Sequence, residues 1–151
     1  LWFCCLSIFL ISPIGSFSQD LEEELEGLLG RIEVLVETMH KQGYTIVHIE
    51  VDKLEKGQYY TASRKLYNIN DYAIMGIGGV GIADLDLELI DEGNNLIDRD
   101  DSDDNIPVLQ VTPKWDGKFY IKASVHLLED GYKASDEFFF CWIIGFKRSS
   151  E

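Results

Sequence analysis

Between residues 84 and 90 the chain reads DLDLELI, and this strict alternation narrows the available folds more than any other feature. A strand turns successive side chains to opposite faces, so Leu85, Leu87 and Leu89 share one side and Asp84, Asp86 and Glu88 the other. That is the pattern of a sheet with one buried and one hydrated face. It recurs after the Asp116-Gly117 turn signal, in Phe119, Ile121, Ala123, Val125 and Leu127.

Strands are predicted at 45–51, 58–66, 72–77, 83–90, 108–112, 118–127 and 137–146, separated by turns rich in Gly, Asn and Asp. Short strands at this spacing predict a mainly β fold, an antiparallel β-sandwich or jelly roll, because a parallel sheet would need helices between them. The last strand is apolar on both faces: Phe138, Phe140, Trp142 and Ile144 on one, Phe139, Cys141 and Ile143 on the other. Such a strand needs a cover. One N-terminal amphipathic α-helix can supply it, since Leu21, Leu25, Leu28, Leu29, Ile32, Leu35, Val36 and Met39 recur at three- and four-residue steps. Asp20 caps its start, and Lys41 and Gly43 close its end. Gly27 and Gly30 interrupt the stripe, so the helix is expected on its own sheet rather than in a coiled coil.

Residues 1–18, LWFCCLSIFLISPIGSFS, carry no charge and end in small residues at Ser16 and Ser18, as a signal peptide does before its cut. Cleavage is expected before Gln19, which gives three segments: a leader at 1–18, the helix at 19–43 and a sandwich domain at 44–151. The leader lacks the initiator Met and positive charges of a complete signal peptide. An uncleaved anchor through residues 1–17 is the rival, although Pro13 and Gly15 break its apolar run and it is short against a hydrocarbon layer of ~30 Å. The domain is expected outside the cytoplasm, periplasmic or secreted, with membrane anchoring through residues 1–17 as the alternative. Only Cys141 lies beyond the leader, so no internal disulfide is expected there. With no charge nearby in sequence to lower its pKa, Cys141 is read as a buried hydrophobe.

The formal net charge of −14 argues against nucleic acid and anionic membrane surfaces as partners. Part of it is concentrated in DRDDSDDN at 98–105, which raises a calcium hypothesis because that ion takes six to eight oxygen ligands. Asp98, Asp100, Ser102 and Asp104 alternate like the front of an EF-hand. The sixth place, however, is Asp103 rather than Gly, and the twelfth is Leu109 rather than Glu. What remains open is an irregular calcium site using Asp100, Asp101, Asp103 and Asp104, or a solvated acidic turn. Asp84 and Asp86 could add oxygens from the hydrated side of their strand, and Asp84 is expected to tie down a turn through backbone N–H groups.

No catalytic set is recognisable. GIGGVG at 76–81 is followed by a strand instead of a helix, so it reads as a hairpin turn rather than a phosphate loop. His40, His48 and His126 fall on separate elements. Glu50, Asp52 and Glu88 cannot be assigned acid and base roles without a cleft. Among the aromatic residues Trp115, between Lys114 and Asp116 beside a turn, is the one expected to be exposed and to grip a ligand such as a sugar or peptide.

The segment 57–146 resembles the bacterial pre-peptidase C-terminal domain. The matching pieces are Tyr60 to Leu66 leading to a hairpin, ADLDLEL at 83–89, the turn DEGN at 91–94 with Leu96-Ile97 behind it, IPV at 106–108, and WDGKFYI at 115–121. The resemblance implies a jelly-roll sandwich that is an accessory domain of exported proteins, often appended to peptidases, with no catalysis of its own. Some domains resembling it bind calcium in loops. No peptidase segment occurs in these 151 residues. The leading expectation is therefore an exported, non-catalytic accessory or ligand-binding domain, not an enzyme, whose partner is a cell-surface polymer or an exported protein. A calcium-stabilised structural domain is second, and a hydrolase third.

Overall fold

A computed structural model describes residues 15–149, with side chains from Asp20 onward. The expected leader falls mostly on residues 1–14, outside that range. A helix α1 at Gly15–Lys41 precedes eight strands: β1 Thr45–Glu55, β2 Tyr59–Leu66, β3 Asn70–Gly78, β4 Ile82–Asp91, β5 Leu96–Asp100, β6 Val108–Val111, β7 Gly117–Leu128 and β8 Glu137–Arg148. No described helix is long and apolar enough to cross a membrane.

The strands form two four-stranded antiparallel sheets, ordered β1-β8-β3-β6 and β2-β7-β4-β5. First pairs with last, second with seventh, third with sixth and fourth with fifth, as when one long hairpin rolls into a jelly roll. Only β4 and β5 are consecutive strands of one sheet. The glycines at 76–81 therefore do not make a hairpin: Gly76 and Gly78 lie in β3, and the turn after them carries the chain to the other sheet. The hairpin expected after Leu66 is likewise a crossing, from β2 to β3.

Leu85, Leu87 and Leu89 are wholly buried between the sheets, against Phe140, Trp142, Phe119 and Ile121. Burying each such side chain contributes about 1.5–3 kcal/mol. The opposite side of β8 carries Cys141 and Ile143 into a second cluster with Leu28, Ile32 and Met39 of α1. The helix thus covers its own sheet. Arg31 fastens it there, donating to the Gly78 carbonyl at 2.7 Å and to Asn105 Oδ1 at 3.1 Å.

Strand β5 was not expected. Asp is depleted in strands, and LIDRD reads as loop. Antiparallel pairing with β4 overrides that preference, with Glu88 opposite Arg99 and an ion pair of 2.7 Å between them. Asp98 and Asp100 consequently belong to a strand, and the acidic loop begins only at Asp101.

Candidate functional site

The two open edges of the sandwich, and the acidic loop beside one of them, hold the chemistry. At the edge formed by β5 and β6 lies a groove of about 630 Å³, walled by Leu96, Ile97, Asp98, Gln110, Lys114 and Trp115, among others. Trp115 is 43% exposed. It stacks on buried Phe119, ring centroids 5.7 Å apart and planes inclined by 27°. The sequence supports this pose from below, because Gly117 presents no side chain where the indole lies. Asp91 also borders the groove, but its two oxygens accept from Asn95 at 2.8–3.1 Å, and those bonds hold its pKa below the ordinary carboxylate value.

The acidic loop next to this edge is organised by hydrogen bonds. Asp100 Oδ1 accepts from the Ser102 N–H at 3.0 Å and its hydroxyl at 2.6 Å, while Oδ2 accepts from the Val108 N–H at 2.6 Å. Burial raises the Asp100 pKa, but these bonds outweigh it and the net direction is down. Asp104 Oδ1 accepts from the Ile106 N–H at 2.8 Å. Asp101 and Asp103 are exposed, Asp101 with Oδ2 4.0 Å from Arg99 Nη1. Among the described residues no three His, Cys, Asp or Glu side chains are gathered as a metal site requires.

Asp84 differs from the expectation twice. It sits beside a register irregularity of β4 and next to the acidic loop, whose Asp104 carbonyl accepts from the Leu85 N–H at 3.0 Å, and it is 2% exposed instead of hydrated. Its Oδ1 has no hydrogen-bond partner, so it ties down no turn through that atom. Burial first, then the charges of Asp86, Asp103 and Asp104, push its pKa up, against a smaller lowering by His126.

At the opposite edge, between β1 and β2, a cluster escaped the sequence reading. A bulge at Val47 reverses the facing of β1, sending Ile46 toward the helix and His48 and Glu50 between the sheets. Glu50 accepts from the Tyr60 hydroxyl, and its Oε2 lies 2.8 Å from His48 Nε2 and 3.3 Å from Arg64 Nη2. Arg64 lies over the Trp142 ring, 4.8 Å from its centroid, and His48 lies 4.5 Å from the same ring. The Tyr60 bond leads the causes that hold Glu50 below its ordinary pKa. Burial, then Glu50, pushes Tyr60 up to about 12. The trace left in the sequence is His48, Glu50 and Asp52 at alternate positions, polar groups in the phase where a core-facing strand would be apolar.

No protein-family model and no curated protein matches the chain. Solved structures do. The pre-peptidase C-terminal domain of a collagenase from Bacillus anthracis is similar at 13% identity, over 64% of this chain and 87% of that one, with a TM-score of 0.48. A periplasmic inhibitor of g-type lysozyme from Aeromonas hydrophila is similar at 11% identity, over 70% and 90%, with a TM-score of 0.50. A carbohydrate-binding module solved with calcium and xylotriose follows at 14% identity, over 70% and 93%, with a TM-score of 0.33. At these identities the likeness is one of fold, a β-sandwich.

Proposed function

We propose that the chain is a non-catalytic binding module of an exported protein, and that it holds a cell-surface glycan along the groove at Trp115. The observation that carries this reading is the exposed indole, stacked on Phe119 in the wall of a groove of about 630 Å³. A fixed aromatic face packs on the C–H face of a sugar ring, while Asp98, Gln110 and Lys114 offer hydrogen bonds to its hydroxyls. Hydrolysis would require a carboxylic acid kept protonated near the scissile bond. Asp91, held as a carboxylate by Asn95, is unsuited to that role. Export rests on the apolar segment at 1–18.

Electrophoresis of the 151-residue chain through gels carrying plant, fungal or bacterial wall polysaccharides tests the proposal. Retardation by at least one polymer, lost in Trp115→Ala, is the expected result. No retardation by any polymer, or equal retardation of the variant, overturns it.

A second reading, calcium used for stability, is favoured by buried and unpaired Asp84 Oδ1 close to the charges of Asp103 and Asp104. Calcium there would neutralise a carboxylate that is costly to bury. Under this reading the melting temperature rises in millimolar calcium and falls with chelator. An unchanged melt removes it.

A further inference from the structure

We propose that the opening between β1 and β2 is a second ligand site, which takes a small molecule with an apolar body and a single carboxylate. Alongside the Glu50 cluster a cavity of about 360 Å³ opens between the sheets. Leu66, Tyr72, Ile144 and Phe146 supply apolar walls, and His48 and Arg64 bring nitrogen groups to it. No carboxylate lines it, in a chain whose formal charge is −14. Pockets of roughly 300–1,000 Å³ that combine apolar walls with a few convergent polar groups are where small ligands bind. Here the charged group that faces the interior, Arg64, carries the sign opposite to that of the chain.

Arg64 has donors to spare. Its Nη1 donates to the Ser63 carbonyl at 2.8 Å, and its Nη2 is shared between His48 Nε2 at 2.7 Å and Glu50 Oε2 at 3.3 Å. A guanidinium has five N–H groups, so capacity remains for a carboxylate. The local bonding also has a conflict that such a ligand relieves. His48 Nε2 lies within hydrogen-bond distance of both Glu50 Oε2 and Arg64 Nη2, and one ring nitrogen cannot donate to the first while accepting from the second. An anion that draws Nη2 toward the cavity frees Nε2–H to donate to Glu50.

The test is calorimetric titration of the full chain with octanoate, octan-1-ol and octylammonium at one pH and ionic strength. Octanoate is expected to bind saturably at roughly millimolar concentration or tighter, with octanol at least about tenfold weaker. Octylammonium, favoured by overall charge, is expected to show no saturable binding. Arg64→Gln is expected to weaken octanoate about tenfold, and Arg64→Lys, which keeps the charge, to weaken it less. Trp115→Ala is expected to leave octanoate binding unchanged, which separates this site from the glycan groove. Equal binding of octanol, preference for octylammonium, no saturable octanoate binding, or wild-type affinity in Arg64→Gln overturns the proposal.

Discussion

A Cβ added to Gly117 would sit 2.8 Å from Trp115 Nε1, closer than side-chain carbons approach a neighbour. The missing side chain at 117 is therefore what lets the indole lie across the start of β7 and stack on Phe119. Gly117→Ala is expected to lift the ring and weaken glycan binding by about tenfold while the protein stays folded. Affinity electrophoresis together with circular dichroism checks both halves of that expectation.

The two glycines inside α1 do the opposite of Gly117. A Cβ at Gly27 or Gly30 would meet nothing within 4 Å. Each costs the helix about 1 kcal/mol relative to alanine without serving a close approach. Gly27→Ala and Gly30→Ala are each expected to raise the melting temperature by a few degrees, read by calorimetry.

Asp84 makes a signed prediction about pH. Its folded pKa lies above the ordinary carboxylate value of 3.8, so the folded state holds this proton more tightly than the unfolded state does. The resulting stability is fully present below that ordinary value and is lost as pH rises through the raised pKa. In chelator, Asp84→Asn is expected to melt above wild type at pH 7, with the difference shrinking toward pH 4. An Asn variant that melts lower than wild type at pH 7 contradicts this account of the buried carboxylate.

Cys141 is fully buried, and burial pushes its thiol pKa up to about 12. Mass-spectrometric mapping after treatment with a thiol reagent at pH 8 is expected to find it unmodified in the native chain and modified once the chain is unfolded.

What could be read in the sequence followed from periodicity. The leucines of β4 and the two-faced apolar run of β8 announced one core between sheets and another under a helix, because alternation and burial are local consequences of the pleat. The exposure of Trp115 was also legible, from a large aromatic between charged residues beside a turn. What escaped depended on partners distant in sequence. β5 exists because β4 offers it a ladder, and the reversed facing of His48 and Glu50 exists because β1 carries one extra residue at Val47 against β8. The burial of Asp84 likewise depends on surroundings that periodicity does not show, a register irregularity in β4 and the acidic loop packed beside it.

The most direct measurement is the indole N–H signal of Trp115 in a two-dimensional nitrogen–proton spectrum, followed while a soluble wall polysaccharide retained by the gels is added. The account predicts a saturable shift of that signal, while buried Trp142, on the far edge of the sandwich core, stays in place. Saturable binding that moves Trp142 and leaves Trp115 untouched would contradict it.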